Sequence, residues 1–283
     1  MSSDLASVTV LQAGYCQCPG GLARGYGSWR NIRFPALFTL LEHPRFGRLL
    51  FDTGYSAEFF HATRQLPYRL YRRATPVTLR GEETAMSQLL ARGLTARDID
   101  QVFISHFHAD HVSALKDFPT ARYRYWPEAY AAVRGRRGLG ALRAAYLPDL
   151  MPADFDERGQ PLAPEAERPL PPEYAPFRLG VDVFGDESLF AVRLPGHARG
   201  QMGLLARTAA GATFFLVADA CWHSGAYRDN RPQHPLANLI FDNAGEYRQT
   251  LGRLHAFHQH SPNIIVIPSH CDEAAEKYVA RAP

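Results

Sequence analysis

Four strand-like runs of this chain close on residue types that hold metal ions, and no other feature narrows its fold as far. The run "QVFI" leads into His106, His108, Asp110 and His111; "LFAVRLPGH" ends on His197, "ATFFLVAD" on Asp219 and "NIIVIPSH" on His270. The runs "SVTVLQ", "ALFTLLEH", "RLLFDTG" and "ARYRYW" share the same β-branched and aromatic enrichment between Gly, Pro or polar residues. Helical patterns lie between some of them: Glu82 to Arg92 before Gly93, Glu128 to Val133 after Pro127, and Glu246 to His258 before Pro262. Early strands arrive in succession and later ones alternate with helices, which predicts an α/β (α+β) chain of mixed sheets covered by helices. A strand end holds the backbone while freeing the next side chains to point into a shared cleft. The four endings therefore predict one common site.

Composition excludes several alternatives. At 46% hydrophobic and 21% charged the chain reads as globular, and runs such as "TFFLVA" are too short to span a bilayer. A net charge of +3, from 31 Lys plus Arg against 28 Asp plus Glu, is too thin a margin for a nucleic-acid surface. The stretch "MSSDLASVTVLQAGYC" lacks a basic region followed by an apolar one, so a cytoplasmic location is expected. Cys16, Cys18, Cys221 and Cys271 are too few for a disulfide scaffold and read as thiols, Cys221 and Cys271 as small residues packed behind the site. No internal repeat is visible. The proline-rich segment from about 146 to 176 reads as an excursion, a lid or a surface wrap, within a single domain of residues 1–283.

The spacing His-x-His-x-Asp-His at 106–111 arises by composition alone in roughly one such chain in a thousand. Three imidazoles this close repel one another when protonated and need a partner to offset their desolvation. A cation meets both needs, and imidazole with carboxylate suits zinc, iron, manganese or nickel.

On these residues the chain resembles the metallo-β-lactamase superfamily. His106, His108, Asp110 and His111 match its signature, and His197 after "PG", Asp219 at a strand end, the late His270 and the turn "LLFDTG" around Asp52 extend the likeness. The resemblance implies a four-layer αββα sandwich, two mixed sheets flanked by helices. It also implies two divalent ions, zinc first with iron or manganese as alternatives. His106, His108 and His197 would hold one and Asp110, His111 and His270 the other, with Asp219 bridging beside a shared water and Asp52 supporting from behind. Such a pair yields hydroxide at neutral pH and polarises the bond under attack, with Asp110 able to pass a proton to the leaving group. Asp110 and Asp219 are the catalytic candidates.

Within that superfamily, "SHFHADH", "PGHARGQMG" and "VADACW" are closest in style to the N-acyl-homoserine lactonase branch. The expected activity is hydrolysis of a lactone or ester of a small molecule, with thioester or phosphodiester hydrolysis, or a non-catalytic metal-bound regulatory role, as alternatives. One departure stands out. The branch carries Tyr three residues beyond the bridging Asp, where this chain has Trp222, a donor that does not readily deliver a proton. His223, Tyr227 and His234 are candidate substitutes, each also readable as a loop residue. The aromatic and arginine segment 55–80 reads either as a cleft wall or as an amphipathic surface helix, and "RGRR" (Arg134 to Arg137) as a solvated turn. Metal identity, substrate and oligomeric state are not encoded legibly.

Overall fold

Each of the strand-like runs becomes a strand. In the computed structural model, which describes residues 4–280, the first sheet contains β1 (Ser7–Pro19), β2 (Asn31–His43), β3 (Gly47–Phe51), β4 (Val77–Thr78), β5 (Gln101–Phe103) and β6 (Arg122–Arg124). The second contains β7 (Glu167–Pro169), β8 (Leu179–Asp182), β9 (Leu189–Arg193), β10 (Met202–Arg207), β11 (Thr213–Ala218) and β12 (Ile265–Pro268). Their orders are β4-β1-β2-β3-β5-β6 and β12-β11-β10-β9-β8-β7. Both sheets are mixed. β3, β5 and β6 run parallel, as do β11 and β12, while the remaining neighbours are antiparallel. Helices flank the sheets, giving the αββα sandwich.

Alternation along the strands builds two apolar layers. In β9, Leu189 and Ala191 join the large cluster that also contains Leu11, Leu40 and Leu50 of the other sheet, whereas Phe190 and Val192 join a second cluster. β11 divides likewise, Leu216 and Ala218 against Phe215 and Val217. The second cluster is covered by the helix Ala244–His260, whose buried Tyr247, Thr250, Leu251, Leu254 and Phe257 recur at helical spacing. Asn243 caps that helix, its side chain accepting from the N–H groups of Gly245 and Glu246. The helix expected over 82–92 is shorter, Ala85–Leu90, because Thr84 stops the preceding turn and caps the helix through Ser87 N–H.

The segment 146–176 is a wrap. It is built of short 3-10 turns begun by Pro148, Pro164 and Pro172, and it inserts Phe155 against Tyr123, stacked at 4.9 Å. It ends by adding β7 to the second sheet.

Direction matters more than count. β3 and β5 are parallel, and β9, β11 and β12 share one direction through the antiparallel β10 between β9 and β11. Their C-terminal ends therefore gather within each sheet, and the side chains that follow them meet. No helix among the described residues is long and apolar enough to cross a membrane.

Phe257→Ala should destabilise the protein by about 3–5 kcal/mol, since it empties a fully buried site under the second sheet. The exposed neighbour Gln259→Ala should stay within about 0.5 kcal/mol. Urea unfolding of both variants measures the difference.

Candidate metal centre

The turn after β3 clamps the histidine loop. Asp52 adopts a positive φ of 60°, rare for a residue with a side chain. Its Oδ1 accepts from Ser105 N–H at 2.8 Å and its Oδ2 from His111 Nδ1 at 2.7 Å. Thr53 Oγ1 donates to His111 O and accepts from Ala114 N–H. The loop after β9 is tied to the long helix: Thr250 Oγ1 donates to Pro195 O, Asn243 N–H to Gly196 O and Asp242 N–H to His197 O. Ala218, at φ 48°, turns the chain out of β11 toward Asp219. After β12, His270 Nδ1 lies 2.6 Å from Pro35 O and the ring stacks on Phe34 at 4.2 Å.

At two of the rings these contacts place a proton on Nδ1. A carbonyl only accepts, so His270 Nδ1 carries the proton toward Pro35, and the Asp52 carboxylate likewise takes the His111 Nδ1 proton. In both rings Nε2 is then turned inward. His106 Nδ1 faces Ser105 Oγ at 3.0 Å, again leaving Nε2 for the interior.

Two groups converge there, each able to hold a metal ion, with their candidate ligand atoms within 4.8 Å of one another: His106, His108, His197 and Asp219; and Asp110, His111 and His270. Asp219 belongs to both neighbourhoods, its Oδ2 lying 3.2 Å from His197 Nε2 and 3.2 Å from His270 Nε2. Asp110 Oδ2 is 3.2 Å from the same His270 nitrogen. Buried atoms are left without hydrogen-bond partners: His106 Nε2, His111 Nε2, His197 Nδ1 and Asp219 Oδ1. Among them, His111 Nε2 and Asp219 Oδ1 stand 3.4 Å apart.

Burial pushes His108 down to about 4 and His197 to about 3, so both are neutral at pH 7 although His108 Nδ1 and His197 Nε2 face each other at 3.0 Å. Burial would lower His270 too, but Asp219 and Asp110 overcome it and push it up to about 10. Asp110 is held down at about 2, where His111 and His270 overcome its burial. Paired carboxylates and inward lone pairs withdrawn from water form a donor set for cations, and one of nitrogen and oxygen alone fits zinc, iron or manganese.

Above the cluster opens a cleft of about 460 Å³, floored by His108, Asp110, His197, Asp219 and His270. Its walls are largely apolar, with Leu22, Phe34, Leu70, Leu142, Trp222 and Ile240 among them. Trp222 is buried edge-on to Phe34 and Phe241, and its Nε1 has no partner. Of the substitutes considered for it, none lines this cleft. His223 caps the helix Ser224–Arg228, Tyr227 borders a separate surface pocket, and His234 packs on Trp29. The segment 55–80 divides: Leu70 and Tyr71 line the cleft, while Arg64, Arg69 and Arg73 are exposed. Tyr55, at the start of that segment, also lines it, and its hydroxyl bonds the Cys16 thiol. Cys221 and Cys271 are buried and lie outside both metal-holding groups, Cys271 against Ser224.

Comparison with known proteins agrees with this geometry. The sequence model of the metallo-β-lactamase superfamily matches residues 33–256. The N-acyl homoserine lactonase AttM of Azorhizobium caulinodans is 27% identical over 226 residues, 75% of each chain. A probable metallo-hydrolase of Mycobacterium tuberculosis is 25% identical over 236 residues, 79% of this chain and 71% of its own. Among solved structures, an N-acyl homoserine lactone hydrolase with N-hexanoyl-L-homoserine at its catalytic metal centre superposes with a TM-score of 0.74 at 16% identity. It covers 100% of this chain and 98% of the other.

Gly196, at φ +127°, lets the β9 loop press on the long helix; a Cβ there would run into the backbone of Glu246 and Tyr247. Gly196→Ala should destabilise the protein by about 2 kcal/mol or more, whereas Gly252→Ala, on an open helix face, should leave it unchanged or slightly more stable. Thermal unfolding distinguishes them.

Proposed function

The chain belongs to the metallo-β-lactamase superfamily, and from that premise we propose that it is a dinuclear metal-dependent hydrolase of small lactones or esters. The observation that carries the reading is the set of inward-facing buried ligand atoms, several without partners, at the floor of an apolar cleft. In this reading His106, His108 and His197 would hold one ion and Asp110, His111 and His270 the other, with Asp219 lying beside both groups. Zinc is the first choice, with iron or manganese as alternatives. Divalent ions so held lower the pKa of water toward neutrality and polarise a carbonyl oxygen.

The chain's own residues supply the rest. Phe34, Leu70, Leu142 and Ile240 receive the apolar part of a substrate and keep bulk water from the floor. Asp52, Ser105 and Pro35 O hold the imidazoles in register. Asp110, a carboxylate at the cleft floor, takes and returns a proton at the leaving oxygen. Trp222 replaces a hydroxyl with an indole N–H, which orients an acceptor and shapes the wall. Likeness to N-acyl homoserine lactonases favours a lactone over a phosphodiester. Residues 1–283 are read as one domain, and four free thiols fit a reducing, cytoplasmic setting.

Chelator-treated protein should lose hydrolysis of an acyl lactone and a p-nitrophenyl ester and regain it with zinc or manganese, with acyl-coenzyme A and bis(p-nitrophenyl) phosphate turned over more slowly. His108→Ala should lower kcat/KM by about 100-fold or more. Full activity without metal, or no turnover of any of these substrates, would refute the assignment. Separately, Asp52→Asn should weaken binding of one ion by roughly 10–100-fold in competition with a chromophoric chelator, because His111 loses its carboxylate support.

A further inference from the structure

The cleft has a second lobe. Sharing His108, His197, Arg143 and Ile240 with the apolar lobe, a cavity of about 350 Å³ adjoins it. Three exposed arginines border it, Arg136, Arg143 and Arg199, against a single carboxylate, Asp242. Arg199 Nε lies 3.4 Å from Asp242, which neutralises one of them. Arg136 and Arg143 make no side-chain hydrogen bond or ion pair among the described residues, so the lobe keeps two unmatched positive charges. Arg134, in the same turn, bonds Asp156 at 2.6 Å instead.

Chain geometry explains the pairing. The helix Pro127–Val133 ends at Arg134, the turn through Gly135 reverses the chain, and the helix Gly138–Arg143 returns it to the cleft with Arg143 in its last turn. Two residues seven apart thereby border one cavity. Guanidinium is a planar fork suited to carboxylate, phosphate or sulfonate, and two such groups left unpaired on one wall favour an anion between them.

We propose that the substrate of this site is an amphipathic anion: an ester or lactone whose apolar acyl part fills the first lobe and whose carboxylate or phosphate is bound by Arg136 and Arg143 in the second. This rests on the hydrolase reading above and narrows it from neutral esters to charged ones. Arg136 and Arg143 are specificity determinants that act on binding, at a distance from the bond being broken.

Three octanoyl esters test it on the metal-loaded enzyme: ethyl octanoate, O-octanoylglycolate and 2-octanoyloxyethyl phosphate, followed by acid release. The anionic esters should exceed the neutral one in kcat/KM by about tenfold or more, and the better of the two identifies the anion as carboxylate or phosphate. In Arg136→Ala/Arg143→Ala the preference should fall below about threefold through KM, with partial recovery in Arg143→Lys. Arg134→Ala should change neither rate nor preference. Octanesulfonate binding by calorimetry gives a readout without turnover: it should bind tighter than octanol, and the double variant should abolish the difference. Hydrolysis of all three esters at similar rates, or a preference that survives the double variant, overturns the anion lobe and leaves the hydrolase reading standing. Arginine-dependent octanesulfonate binding without hydrolysis of any ester upholds the lobe and overturns the hydrolase reading. Octanesulfonate binding no tighter than octanol overturns the lobe.

Discussion

Withdrawing imidazoles and carboxylates from water at one point is unfavourable for each of them, and the architecture around the cluster follows from making that arrangement tolerable. Outward-facing atoms are satisfied by the protein: Pro35 O for His270, Asp52 for His111, Ser105 for His106. Inward-facing atoms are satisfied only in part: His108 and His197 share a hydrogen bond at 3.0 Å and His270 Nε2 meets Asp219, but His106 Nε2, His111 Nε2 and Asp219 Oδ1 have no partner. Such a cluster holds its shape only if the scaffold is stiff, and it favours positive charge at its centre.

Stiffness comes from where these side chains sit. Asp52, His197, Asp219 and His270 each follow a strand end, and parallel direction within each sheet brings those ends to the same side. At two of the endings the backbone takes a left-handed conformation, Asp52 at φ 60° and Ala218 at φ 48°, which turns the chain sharply from the sheet into the site. Strain of this kind persists where surrounding contacts over-determine it. Here those contacts are the Asp52 bonds to Ser105 and His111 and the Ser269 N–H bond to Ala218 O.

Much of this was legible because its signals are local. A β-branched run ending on His197, Asp219 or His270 announces the strand, and the His or Asp that closes it falls in one of the two groups able to hold a metal ion. β10 escaped, because "MGLLAR" is a central strand buried on both faces and shows no alternation. β4 and β7 escaped because two or three residues carry no period. Pro35 could not have been found, since a backbone carbonyl acting as acceptor leaves no trace in residue type. The turn Arg134 to Arg137 is exposed throughout, as expected, and only the return of the following helix separates Arg136, which borders the second lobe, from Arg134, which is paired elsewhere. Sequence distance conceals such a division. The segment 55–80 failed to resolve for a related reason: its apolar and cationic residues face different surroundings, so each of the two readings described half of it.

Trp222 shapes the wall of this cleft. Packed edge-on between Phe34 and Phe241, with a ring-centroid distance of 6.0 Å to His197, it gives the wall bulk, while its Nε1 is buried without a partner. An indole does not readily release its proton, so at this position the chain offers hydrogen bonding without acid catalysis. Tyr55 does not readily take over, because burial raises its hydroxyl well above the ordinary range and the group is engaged with Cys16. In the hydrolase reading the proton for a departing alkoxide therefore falls to Asp110 or Asp219, the carboxylates at the floor of the apolar lobe. A site organised in this way relies on substrate position more than on a dedicated acid. Two adjoining lobes that share His108 and His197, one apolar and one cationic, would supply that positioning by holding two different parts of one substrate.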